Sequence, residues 1–203
     1  PGDAERGMDL TGFVAGRLER ALVAAPGPVV LAGYCMGGLL ALAAAMRRPD
    51  RVRALALLAT PWDFHAGDQA PRARSLAALL PLLEPMLATT GTLPVEVIQA
   101  LFAQLDPFGV ARKFRAFARL KPGSARAAHF VALEDWLNDG VALPASVARD
   151  CLTGWYGRND TAEGRWTIAG ESVDPRRLRP PALVMIPEKD RIVPPCSARA
   201  LAL

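Results

Sequence analysis

The chain has 203 residues, 51% hydrophobic and 22% charged, with a formal net charge of +4. That is enough apolar material for one core with room for an added lobe, and it excludes a disordered or collagen-like chain. Three cysteines without a CxxC pair argue against a disulfide scaffold and fit a reducing compartment.

The basic excess is arginine, since lysine occurs only at Lys113, Lys121 and Lys189. Arg47, Arg48, Arg51 and Arg53 form the one dense basic stretch. It reads as a solvated helix end and loop rather than a nucleic-acid face. No signal-peptide pattern opens the chain, and no apolar run reaches the ~18 residues of a membrane-spanning helix. The sequence starts at Pro1 without a Met and stops at Leu201-Ala202-Leu203, inside a helical pattern. Both ends are therefore expected to be cut from a longer protein.

In chain order, Leu10, Phe13, Val14, Leu18 and Leu22 recur at helical spacing, with Asp9 or Thr11 as cap, and predict a helix to about residue 25. Pro26-Gly27-Pro28 ends it. Val29-Val30-Leu31-Ala32 is an all-apolar run, the mark of a buried strand. A Gly-rich turn follows, then a helix over 39–48 that is apolar nearly all round and hence buried. Pro49-Asp50 breaks it, and 52–59 reads as a second buried strand.

From residue 61 to about 160 the pattern turns helical, with helices expected over 73–89, 94–104, 110–120, 124–138 and 144–156 and no convincing strand. Thr167-Ile168-Ala169 reads as a short strand, residues 182–186 as a third buried strand, and a helix starts at Ser197. Strand, turn, helix and strand make a parallel α/β unit. The roughly 120 residues before the third strand far exceed an ordinary crossover. The expected organisation is therefore an α/β core in two parts, 1–60 and 166–203, with a helical cap over 61–165.

The strongest chemical signal is Gly33-Tyr34-Cys35-Met36-Gly37-Gly38, between a buried strand and a buried helix. It fits a nucleophile elbow, G-x-Nuc-x-G, with cysteine in the usual serine place. Small residues are needed two before and two after the nucleophile, and Gly33 and Gly37 supply them. The helix N-terminus beneath Cys35 is expected to favour thiolate, and the Met36 N–H to face the oxyanion. The competing reading is a small, inert core cysteine.

Asp190 follows the third strand, where an acid belongs in such folds, with Glu188 as the alternative. His65 and His129 both precede Asp190, whereas the base is expected after the acid. The histidine is therefore expected beyond Leu203, and no imidazole nitrogen is expected within about 4 Å of the Cys35 sulfur, a looser bound than the hydrogen-bond reach of a working base. Trp62, Phe64 and His65 are candidates for the pocket wall. Cys151 and Cys196 read as structural, and no cluster has metal-ligand spacing.

Four segments carry a resemblance to a known family. They are the cysteine box at 33–38, Leu58-Ala59-Thr60-Pro61-Trp62-Asp63-Phe64, Trp136-Leu137-Asn138-Asp139-Gly140, and Asp190-Arg191-Ile192-Val193-Pro194-Pro195. Together they resemble the polyhydroxyalkanoate (PHA) synthases and span nearly the whole chain. The resemblance implies an α/β-hydrolase core with a cap, Cys35 as nucleophile and Asp190 as acid. It implies transfer of 3-hydroxyacyl groups from coenzyme A thioesters to the cysteine and on to a growing polyester, without a further cofactor. It also implies a homodimer or a partner synthase subunit, in the cytoplasm or at storage-granule surfaces, with no nucleic acid and no transmembrane segment. A thioesterase or polyester depolymerase on the same scaffold, or a non-catalytic synthase partner, remains the alternative.

Overall fold

A computed structural model describes residues 1–103 and 108–202. In chain order, α1 (Asp3–Arg6) and a π-helical segment (Gly12–Leu18) lead into α2 (Glu19–Ala24), β1 (Val29–Tyr34), α3 (Gly37–Arg47) and β2 (Val52–Leu58). There follow α4 (Ala70–Ala77), α5 (Leu80–Thr90), β3 (Thr92–Leu93), α6 (Val95–Ala103), α7 (Gly109–Phe117), α8 (Ala125–Asn138) and β4 (Leu143–Pro144). Then α9 (Ala145–Arg149) runs into a second π-helical segment, Asp150–Gly157. The chain closes with the β5 (Thr167–Ile168) and β6 (Glu171–Ser172) hairpin, β7 (Ala182–Met185) and α10 (Pro195–Arg199).

Among the described residues the central sheet is parallel, in the order β1-β2-β7. Its register sets Leu31 beside Leu55 and Leu57 beside Val184 on one face. There α3 lies across β1 and β2, its Leu39 and Leu42 fully buried, which is why this helix is apolar nearly all round. Leu10, Val14 and Leu22 join the same core from the N-terminal helical segment. The opposite face is different: Val30, Tyr34, Leu183 and Met185 all point out and are exposed.

The basic stretch is engaged inside the fold. Arg47 pairs with Glu19 and Glu171, Arg48 with Asp50, and Arg51 donates to the carbonyls of Leu22, Val23 and Ala25. Those are the free carbonyls at the end of α2, so Arg51 is its C-terminal cap.

Between β2 and β7 the expected helices form with two departures. The single helix over 73–89 is two, α4 and α5. Pro81 lacks an N–H and its ring would meet the carbonyl of Ala77, so α4 ends there and Pro81 sits in the first turn of α5. A two-residue antiparallel pair, β3 with β4, joins α5 to α9 where no strand was expected; so short a ladder leaves no period to read. Gln104, the last residue of the helix expected over 94–104, and Leu203 lie outside the described residues. Leu87, Leu93, Ala145 and Ala148 make a small second core, while Val147, Cys151 and Trp155 join the main one.

Candidate active site

The link from β1 to α3 is held tightly. Cys35 has φ of +51°, a left-handed backbone that a non-glycine residue adopts only when its surroundings enforce it. Its N–H donates to Leu58 O at 2.8 Å, extending the ladder with β2, and its carbonyl accepts from Gly38 N–H at 2.9 Å. The steric pressure falls on Gly33 and Gly38. A Cβ at Gly33 would lie 2.5 Å from Gly38 Cα, and one at Gly38 would lie 1.9 Å from Thr60 Oγ1. Gly37 faces open space, so the expectation that it must be small for steric reasons does not hold.

The expectation of a thiolate at Cys35 is also corrected. Burial pushes the thiol above its ordinary pKa, the Met36 backbone hydrogen bond draws it down, and the nearby Asp190 charge raises it again. One amide at the helix start does not outweigh partial burial beside a carboxylate, so the resting sulfur is protonated.

Asp190 sits on the loop after β7, close enough to Cys35 to act on its charge. Its Oδ1 accepts from the N–H groups of Ile192 and Val193, at 2.8 and 3.0 Å. This fixes the carboxylate while Oδ2 has no hydrogen-bond partner among the described residues. Glu188, the alternative acid, is exposed on the same loop.

Cys35 and Met36 open on a cavity of about 610 Å³ with largely apolar walls. Phe64, Leu76, Ile98, Phe102 and Leu152 line it, with Val193 on the β7 side. Phe64 is thus at the wall as expected. Trp62 and His65 are not: Trp62 packs on Trp166 behind the wall, and His65 Nε2 meets Tyr156 O at 2.8 Å. His129 lies on α8 beside a separate groove near Phe117 and Phe130. Neither imidazole hydrogen-bonds Cys35 among the described residues.

Sequence reading missed Tyr156, taken only as part of the packed helix pattern around Cys151. Its ring lines the cavity edge-on to Phe64, and its Oη lies 3.8 Å from Met36 Sδ. No local signal marked it, because Phe64, His65 and Met36, which it meets, lie far along the chain. Asn159 bridges Phe64 N–H (2.9 Å) and the Asp63 carboxylate (2.8 Å), while Thr161 donates to the Trp62 carbonyl. Residues 62–65 and 156–161 are thereby stapled together beside the elbow.

Cys151 is buried and its thiol is pushed far up by that burial, leaving it inert; Cys196 is exposed. Among the described residues no group of three or more His, Cys, Asp or Glu is placed to hold a metal ion, and no helix is long and apolar enough to cross a membrane.

The parallel sheet, the sharp turn from β1 into buried α3 and the return of the chain through β7 are those of an α/β-hydrolase fold. The family profile described as "alpha/beta hydrolase fold" matches residues 24–79, from the end of α2 past the elbow to the end of α4. The chain is 29% identical over 209 residues to the poly(3-hydroxyalkanoate) polymerase subunit PhaC of Allochromatium vinosum, covering 99% of this chain and 58% of that protein. It is 30% identical over 168 residues to the subunit of the same name from Haloferax mediterranei, covering 81% and 34%. Among solved structures, a hydrolase from Oleispira antarctica, olei00960, superposes with a TM-score of 0.51 at 14% identity, over 98% of this chain and 62% of that one. The chain is an α/β-hydrolase-fold domain with partial homology to PhaC-type synthases, and it spans about half the length of the curated relatives it matches.

Proposed function

We propose that the chain is part of a cysteine-dependent acyl-transfer enzyme. It would take 3-hydroxyacyl groups from coenzyme A thioesters onto Cys35 and pass them to a hydroxyl acceptor, the end of a growing polyester. The observation that carries this is a cysteine held at positive φ on a strand-to-helix turn, its sulfur facing an apolar cavity. The likeness to polymerase subunits in two organisms supports the same reading.

In the first step Cys35 Sγ attacks the thioester carbonyl, the oxygen gains charge beside the Met36 N–H, and the coenzyme A thiolate leaves. One thioester replaces another, so little bond energy is lost. The Sγ proton needs an acceptor. Asp190 Oδ1 is already taken by two backbone N–H groups, so the role falls to the histidine expected after Asp190, which Asp190 would orient. Residues 61–165 serve as the cap, lining the cavity with Leu76, Ile98 and Phe102.

Hydrolysis on the same site is the second reading, a thioesterase or polyester depolymerase. The half-buried state of Cys35 favours it, because a residue not sealed from solvent lets water compete with the acceptor hydroxyl. Incubation of a longer protein that carries the expected histidine with 3-hydroxybutyryl-CoA, followed by peptide mass spectrometry, tests the shared first step; the 203-residue chain by itself is expected to turn over poorly or not at all. The expected result is a hydroxybutyryl adduct on Cys35. Adducts on Cys196 or Cys151 with Cys35 untouched would overturn both readings. Product analysis then separates oligomer from free acid.

A further inference from the structure

Tyr156 sits in a π-helical segment, a local widening of the helix found often at functional sites. Its ring is locked edge-on against Phe64 at 4.9 Å between centroids. Its own carbonyl is held by His65 Nε2 at 2.8 Å, and the staple through Asn159 and Thr161 fixes the backbone that follows. A phenol so constrained is pre-organised to point one way, into the Cys35 cavity.

In that cavity its O–H meets, among the described residues, only the Met36 thioether, a weak acceptor at 3.8 Å. Burial, outweighing the opposing pull of the Arg72 guanidinium, holds the phenol far above its ordinary pKa, so it keeps its proton. A proton donor without a strong acceptor in a mostly apolar wall is costly unless a ligand brings an oxygen to it. Its place indicates which oxygen. The Met36 N–H lies at the Cys35 sulfur, whereas Tyr156 Oη lies at the thioether of the Met36 side chain. The two donors therefore occupy different points beside the cavity, one at the Met36 backbone and one at its side-chain sulfur, so the phenol is placed to serve a second ligand oxygen.

We propose that Tyr156 is a specificity-determining residue: its hydroxyl donates a hydrogen bond to an oxygen carried on the acyl chain beyond the reacting carbonyl, so the cavity selects hydroxyacyl over plain acyl groups. This rests on the acyl-transfer reading for the identity of the ligand. His65 acts as a positioning residue for Tyr156.

The test measures binding without chemistry. In a Cys35→Ala background, the affinities of the N-acetylcysteamine thioesters of 3-hydroxybutyrate and butyrate are compared by calorimetry. The hydroxy ester is expected to bind about 5- to 10-fold more tightly, the size of one hydrogen bond to a neutral group. Adding Tyr156→Phe, which keeps the ring and its contact with Phe64, should bring the ratio to about one, and His65→Ala should reduce it partway. A ratio unchanged by Tyr156→Phe, no preference in the Tyr156 protein, or no binding of either ester would each overturn the proposal. A loss equal for both esters would also overturn it, assigning Tyr156 to the carbonyl instead. Because the sulfur is absent, the result is independent of whether Cys35 is acylated in the experiment above.

Discussion

Cys35 is pulled two ways. Burial and the Asp190 charge oppose the thiolate, while the Met36 backbone hydrogen bond favours it, and the first two prevail. A thiol whose pKa is raised is alkylated slowly at neutral pH, and its rate climbs as pH rises through the raised value. Iodoacetamide labelling of Cys35 is therefore expected to reach half its maximal rate at a higher pH than a free cysteine does. Asp190→Asn removes the like charge, lowers the thiol pKa and speeds labelling at a given pH, by about 2- to 5-fold. The same substitution should abolish turnover in any longer protein where Asp190 orients the base. Labelling slowed by Asp190→Asn would contradict this account of the site.

At the level of elements, the elbow is a close approach of α3 to the end of β2. Gly38→Ala would drive a methyl group into fully buried Thr60 and is expected to cost about 1–3 kcal/mol, the usual range for overpacking. Gly37→Ala meets nothing and should be close to neutral. Urea denaturation of the two variants side by side checks the contrast, and equal losses would refute it.

A second element-scale case is the turn after the π-helical segment Asp150–Gly157. Burial works against the charge of Asp160, but the Arg158 and Arg165 guanidinia outweigh it and hold the carboxyl below the usual range. A folded-state pKa below the unfolded one contributes stability above the unfolded value, and that contribution is lost as pH falls through the folded value. Both guanidinia are more than half exposed, so Asp160→Asn should cost only about 1 kcal/mol at neutral pH. The difference from wild type should begin to shrink as pH falls below about 4 and vanish only below the lowered folded-state value, where the folded wild type is protonated as well. Urea midpoints measured across pH 2–7 read this directly.

Across the whole molecule, one face of the sheet is covered by α3 and the other presents Val30, Tyr34, Leu183 and Met185, each 51–61% exposed. Parallel sheets are ordinarily covered on both faces. The 203-residue chain is accordingly expected to bind anilinonaphthalene sulfonate in its native state. Val30→Thr with Leu183→Thr should weaken that fluorescence while changing stability by no more than about 0.5 kcal/mol each, as for exposed positions generally. Undiminished fluorescence in the double variant would place the dye elsewhere, with the apolar residues of α7 and α8 the next surface to test.

Much of this protein is legible in its residues because the signals are local. An apolar run followed by Gly-Tyr-Cys-Met-Gly-Gly and a buried helix specifies strand, sharp turn and helix, since only small residues allow the two elements to approach so closely. An acid placed just after the third apolar run follows from the parallel sheet, where loops at the strand ends meet. Other features depend on neighbours far along the chain, and only the tertiary structure decided them. Which glycine carries the steric load depends on Thr60 across the sheet. The protonation of Cys35 depends on how deeply it is buried and on the charge of Asp190, 155 positions away in sequence. Tyr156 reads as one more packed aromatic until residues 62–65 are stapled beside it and Met36 is brought to its hydroxyl. Spacing and composition report what a segment can form, whereas steric contact, desolvation and unmet hydrogen-bond capacity arise only once distant segments touch.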